Sequence, residues 1–258
     1  MSAAPQLASA WWRTFRPAPA APVRLACFPH AGGSASFYLP LARALAPEIE
    51  VLAAQYPGRQ DRYREPVVTS LAELARRCFD ALRPALDRPV VLFGHSMGAL
   101  LAYEVALLVQ DAGLPPPAHL VVSGRRAPSC YRDDRFHRLP PAQLVAQIQV
   151  LRGTDEGVLS DPETLRLILP AVRGDYRAVE TYRHDPDRRV PGPVTVLTGT
   201  DDPMVTADEA NAWQRHASGP VDVRPMPGGH FFLADRVDEI AALVSAIAAG
   251  RYRGSPGR

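Results

Sequence analysis

Lysine is absent from this 258-residue sequence, and all 29 of its basic side chains are arginine. With 27 acidic residues the net charge is only +2, too mild for the basic surface that nucleic-acid binding requires. Cysteine is scarce. Cys27, Cys78 and Cys130 are an odd number at wide spacing, which argues against a disulfide framework and against a zinc site. No run approaches the ~18 consecutive apolar residues of a membrane span. The N-terminus carries Trp11-Trp12-Arg13 but no apolar stretch behind a basic start, so no secretory signal is read. These absences leave an ordinary cytoplasmic globular chain, with no nucleic acid or membrane among its expected partners.

What is present fits that class. Apolar residues make up 47% of the sequence, enough to bury a core without cross-links. Residues 1–22 are rich in alanine and proline and read as an N-terminal arm; residues 23–258 read as one α/β domain. Short apolar runs at Val23–Phe28, Glu50–Ala54, Val90–Phe93 and His119–Ser123 are bounded by glycine, proline or charge, the signature of buried parallel strands. Between them, Leu71–Leu86 repeats apolar residues at helical spacing, and Met97–Gln110 is apolar nearly all round. Such alternation predicts a mostly parallel sheet flanked by helices. It breaks between about residues 130 and 186, where helical stretches at Pro140–Arg152 and Pro162–Tyr182 follow one another without a strand. This stretch is expected to be a helical lid insertion. The pattern resumes with strands at Val194–Thr198 and Val221–Met226 and helices near Thr206–His216 and Val237–Ala249.

The chemistry concentrates at Gly94-His95-Ser96-Met97-Gly98. This G-x-S-x-G follows a predicted strand and precedes a predicted helix, the context of the nucleophile elbow of the α/β-hydrolase fold. Such a serine sits in a strained turn, and the flanking glycines let strand and helix approach closely. A serine nucleophile needs a base to take its proton, and the base needs an acid to orient it. His230, in the glycine-rich loop Pro227-Gly228-Gly229-His230-Phe231 between the last strand and the last helix, is the best placed of seven histidines; His30, His95 and His184 fit less well. The acid is expected after Val194–Thr198, where Asp201 and Asp202 are adjacent. Hydrolases with a G-x-x-D-P turn use the fourth residue, which selects Asp202. An oxyanion hole needs two backbone donors. Met97 N–H is one, and Ala31 N–H, in Phe28-Pro29-His30-Ala31-Gly32-Gly33-Ser34, is the other.

These segments, with Tyr56-Pro57-Gly58-Arg59-Gln60-Asp61-Arg62, Ser123-Gly124-Arg125-Arg126-Ala127-Pro128, Leu169–Tyr176 and Gly228–Leu233, resemble the type II thioesterases of polyketide and nonribosomal peptide assembly lines. The resemblance runs from Val23 to about Ala249. Gln60 departs from it, since an acidic residue is frequent there. The resemblance implies an editing enzyme that hydrolyses stalled or aberrant acyl groups from the phosphopantetheine arms of acyl or peptidyl carrier proteins. It implies no metal and no diffusible cofactor, because the phosphopantetheine belongs to the substrate. A free-standing monomer is expected. The insertion would cover the acyl pocket, and its arginines (Arg132, Arg135, Arg138, Arg152, Arg166, Arg173 and Arg177) are candidates for contact with acidic carrier helices. Two other readings of the same residues stay open: a carboxylesterase or lipase acting on free substrates, and a non-catalytic hydrolase-like binding protein.

Overall fold

The structure, a computed structural model, describes residues 10–151 and 161–251. Seven strands form one sheet: β1 (Trp12–Arg13), β2 (Val23–Phe28), β3 (Ile49–Ala54), β4 (Val90–His95), β5 (His119–Ser123), β6 (Val194–Gly199) and β7 (Val221–Met226). Their order is β1-β3-β2-β4-β5-β6-β7, and only β1 runs antiparallel to its neighbour. The chain moves outward from β2 to β3, then returns across β2 to build β4 through β7. The loops leaving β2 and β4 therefore part to opposite sides at adjacent strand ends. In open α/β sheets such a reversal leaves a crevice at the carboxyl ends of the strands.

Successive strand residues face opposite sides of the sheet, and here both sides are covered. Leu25 and Cys27 face a core shared with α1 (Leu39–Leu45) and the last helix, Val237–Ala248. Ala26 and Phe28 face the larger core, which contains α2 (Leu71–Leu82) and α3 (Met97–Asp111). In α2, Ser70 caps the N-terminus by accepting from Glu73 N–H, and Leu71, Leu74, Ala75, Cys78, Phe79 and Leu82 form the buried stripe. Helix α3 is buried on nearly every face, as its all-round apolar sequence requires.

Between β5 and β6 the chain forms α4 (Pro141–Val150) and α5 (Pro162–Thr181), so the predicted break in strand–helix alternation is filled by helices. Arg152 lies outside the described residues. Short helices α6 (Ala207–Asn211) and α7 (Phe232–Asp235) follow β6 and β7, and α8 (Val237–Ala248) closes the fold. The described part of the expected N-terminal arm, from residue 10 onward, differs from a free arm. Trp12 and Arg13 pair with Ala54 and Ala53, and the Trp12 ring is buried edge-on against Phe28 at 5.4 Å. A two-residue strand is too short to show a periodicity, so only the pair of tryptophans marked it. No helix of the described residues is long and apolar enough to cross a membrane.

Candidate active site

Ser96 lies between β4 and α3 with φ +55° and ψ −115°. For a residue with a side chain this is a sparsely populated conformation, costing about 1–3 kcal/mol. It persists because its surroundings leave no alternative. Ser96 N–H donates to the Ser123 carbonyl at 2.8 Å. A Cβ on Gly94 would lie 2.0 Å from the Gly98 carbonyl oxygen, and one on Gly98 would lie 1.9 Å from the Phe28 carbonyl oxygen. The two glycines of the motif are thus where strand, helix and the end of β2 touch backbone to backbone. The turn lifts the Ser96 hydroxyl off the sheet at the N-terminus of α3.

His230 and Asp202 come to that hydroxyl from the loops that follow β7 and β6. The His230 Nδ1–Asp202 Oδ2 distance is 2.8 Å, and Nε2 lies 3.1 Å from Ser96 Oγ. A carboxylate only accepts, so Nδ1 carries the proton and Nε2 is free to accept from the serine. Asp202 is turned to this task by its own loop, since its second oxygen accepts Met204 N–H at 2.8 Å. The side chain of Asp202 is fully buried, whereas Asp201 is exposed and accepts only the Thr200 hydroxyl at 3.1 Å. The two loops meet because Gly199 has no side chain: a Cβ there would stand 2.4 Å from the Gly229 carbonyl oxygen. Backbone bonds from Thr200 N–H to Met226 O and from Asp201 N–H to Gly228 O, at 2.8 and 2.9 Å, fasten them.

Ala31 and Met97 line a small pocket of about 40 Å³ together with Ser96 and His230. His30, Ala31, Leu151, Tyr176 and Phe231 are shared with a cavity of about 680 Å³ that runs between the loop after β2 and α4 and α5. Ile148, Leu167, Ile168, Ala171 and Val172 give that cavity an apolar wall.

Beneath the site sits a cluster of rings. His30 is 4.7 Å from both Phe37 and Phe231, and His95 is 5.2 Å from His230, measured between ring centroids. Burial, with the nearby His230 and Arg59 charges adding to it, pushes the His30 pKa down to about 3. Burial likewise holds His95 well below the ordinary histidine range. The weaker candidates of the sequence thus have other surroundings. His95 is buried with Nδ1 3.1 Å from Ser123 Oγ, and His184 packs against the Tyr131 and His216 rings.

The family description "Thioesterase domain" matches residues 23–248. The chain is 46% identical over 236 residues to thioesterase PikA5 of Streptomyces venezuelae, covering 91% of this chain and 84% of that one. The chain belongs to the thioesterase family. It is also 50% identical over 240 residues to a probable cadicidin biosynthesis thioesterase of Streptomyces griseus, 93% of this chain but only 66% of that protein's length. Among solved structures it is similar to the type II thioesterase BorB of the borrelidin biosynthetic cluster, with TM-score 0.86, 49% identity and coverage of 92% and 97%. A thioesterase of this family is a hydrolase acting on thioesters, and the architecture is that of the α/β-hydrolase thioesterases.

In this thioesterase the structure brings Ser96, Asp202, His230, Ala31 and Met97 to one place. Sequence reasoning missed the groups that hold that place together. Arg59 and Asp175, 116 residues apart, form a buried two-point ion pair behind the loop after β2. Both stand in segments that carried the family resemblance, and that membership was their only signal. Of the insertion's arginines, Arg132 pairs with Glu209, Arg135 pairs with Asp133, and Arg173 donates to the carbonyls of His137 and Leu139. Arg138, Arg166 and Arg177 remain exposed.

Two measurements follow. Asp202→Asn is expected to lower kcat by about 10⁴-fold, the cost when a triad imidazole loses its orienting carboxylate, while Asp201→Asn stays within about threefold of the parent because Asp201 takes no part in that chain. Steady-state kinetics of the pair would separate them. Acid stability tests the neutral histidines. His30 stays neutral in the fold down to about pH 3, against an ordinary value of 6.5. The unfolded chain therefore binds the extra proton, and the stability conferred by neutral burial, complete above the unfolded value, is lost as pH falls toward 3. His30→Phe is expected to take up about one proton fewer on unfolding between about pH 4 and 6, read from the pH slope of urea-unfolding free energies; an unchanged slope contradicts it.

Proposed function

We propose that this protein is an editing thioesterase that releases acyl groups from the phosphopantetheine arms of acyl or peptidyl carrier domains, through a Ser96-His230-Asp202 triad and an acyl-enzyme. Ser96 Oγ attacks the thioester carbonyl as its proton passes to His230 Nε2, 3.1 Å away. The negative charge gathers on the carbonyl oxygen, which the Ala31 and Met97 amides hold, at the positive end of α3. The intermediate collapses, the carbon–sulfur bond breaks, and the departing thiol takes the proton from His230. A water molecule then gives a proton to His230 and attacks the ester carbonyl. Collapse of this second intermediate returns the proton to Ser96 and frees the acid. Asp202 keeps Nδ1 protonated throughout and stabilises the imidazolium formed in each half-reaction. No metal and no diffusible cofactor enters any step.

One observation carries the reading: the hydrogen-bonded chain Asp202–His230–Ser96 opens on a small pocket that shares His30, Ala31, Leu151, Tyr176 and Phe231 with a large apolar cavity suited to an acyl chain. Helices α4 and α5 line that cavity and act as its lid. The names of the relatives, which point to cadicidin biosynthesis and the borrelidin biosynthetic cluster, support carrier-bound substrates and a cytoplasmic setting. Arg138, Arg166 and Arg177 are among the exposed cationic groups of the insertion available to meet an acidic carrier. The protein works as a monomer in this account.

The test is a hydrolysis panel. Acyl groups loaded on carrier proteins are compared with the same groups as oxygen esters of a small phenol. The expected result is a kcat/KM at least about tenfold higher on the carrier, with Ser96→Ala losing about 10⁴-fold or more. Equal or faster cleavage of the free oxygen esters would favour a general carboxylesterase, and turnover that survives in Ser96→Ala would remove Ser96 from the mechanism.

A further inference from the structure

The loop after β2 contains no regular structure, yet its backbone is fixed atom by atom. Gly33 N–H donates to the His30 carbonyl at 2.9 Å, closing a turn over residues 30–33. The peptide unit joining His30 to Ala31 is planar, with its N–H anti to its carbonyl. Pinning the His30 carbonyl into the turn therefore aims the Ala31 N–H outward. The next amide is held from outside the loop: Gly32 N–H donates to Asp175 Oδ2 at 2.7 Å. Gly32 sits at φ +75°, and a Cβ there would lie 2.7 Å from Val172 Cγ2, so α5 packs directly against this point of the loop.

Asp175 is itself immobilised. Arg59 grips it at two points, 2.6 Å from Nη1 to Oδ2 and 2.9 Å from Nη2 to Oδ1. The same Nη1 donates to the Gly33 carbonyl at 3.1 Å. The guanidinium lies over the Tyr56 ring, and Tyr56 OH donates to the Pro29 carbonyl at 3.3 Å. Residues 29, 32 and 33 are thus held from two distant parts of the chain, on both sides of Ala31. The Asp175 side chain is fully buried, at 0% exposure, and lines neither the large cavity nor the Ser96 pocket. It meets backbone and Arg59, never substrate.

We infer that Asp175, gripped by Arg59, is a positioning residue for the oxyanion donor at Ala31, and that by carrying it α5 makes seating of the helical insertion and assembly of the oxyanion hole a single event. This rests on the role proposed above for Ala31. A planar guanidinium bound at two points fixes direction as well as charge, so lysine cannot replace Arg59 fully.

The test uses the full chain and three readouts: kcat and KM on an acyl N-acetylcysteamine thioester per active site titrated with a fluorophosphonate, affinity for an alkyl boronic acid that becomes tetrahedral and anionic on Ser96, and melting temperature. In Asp175→Asn, kcat per titrated site is expected to fall about tenfold to a hundredfold, below the ~10²–10³ of losing a donor outright. KM should move less than about threefold, boronate affinity should fall in step with kcat/KM, and the midpoint of the pH–rate profile should hold. Arg59→Lys should show the same pattern at about threefold to tenfold, and it stands in if the asparagine variant does not fold. A lower melting temperature with kcat per site and boronate affinity unchanged would reduce the pair to a structural pin and overturn the inference. Ser96→Ala is the control. If it stays active, the reading of the site has failed; if it is inactive and the Asp175 variant is unimpaired, only this inference has.

Discussion

The backbone of Ser96 is held at φ +55° by a hydrogen bond to Ser123 and by glycines whose missing side chains leave room for carbonyl oxygens about 2 Å from where a Cβ would be. That single constraint organises the site. It forces β4 and α3 into contact and seats Gly98 on the Phe28 carbonyl. The loop that begins at Phe28 is thereby brought beside the serine. The strain is tolerable because the residues on both sides of Ser96 are buried, so local rearrangement would cost more packing than it relieves.

A second close approach completes the arrangement from the opposite side. Gly199 lets the β6 loop press against Gly228 and Gly229, so Asp202 and His230 arrive already hydrogen-bonded to each other. Below them, His30 and His95 are kept neutral by burial. A charged imidazole in either position would repel the imidazolium that the proposed reaction forms at His230. The cavity, which His30 also lines, is walled by the insertion helices. Two polar fastenings therefore serve the pocket: one joins Asp202 to His230 on the proposed proton path, and the other, through Arg59 and Asp175, ties the insertion to the loop bearing Ala31.

Much of this was legible because it is local. The strands announce themselves as short apolar runs, and the elbow as a G-x-S-x-G between a strand and a helix. The choice of Asp202 over Asp201 rested on the G-x-x-D-P turn that hydrolases share, and it is Asp202 that bonds His230. What escaped depends on contacts between distant residues. Apart from their place in segments that carry the family resemblance, nothing in the sequence distinguishes the buried Arg59 and Asp175 from the other arginines and aspartates. For the same reason the insertion's arginines looked alike, although Arg132, Arg135 and Arg173 are engaged within the fold. The helical pattern at Pro162–Tyr182 does not tell which of its residues line a cavity; the wall uses Leu167, Ile168, Ala171, Val172 and Tyr176.

The central claim is that the strained serine becomes acylated. Mixing the protein with a slowly hydrolysed acyl thioester, quenching in acid within the first turnover, and mapping the adduct by peptide mass spectrometry tests this directly. The account predicts one acyl group per chain, on the peptide bearing Ser96, absent in Ser96→Ala and accumulating when the second half-reaction is slow. An adduct on another residue, or full turnover with no adduct at any quench time, would contradict it.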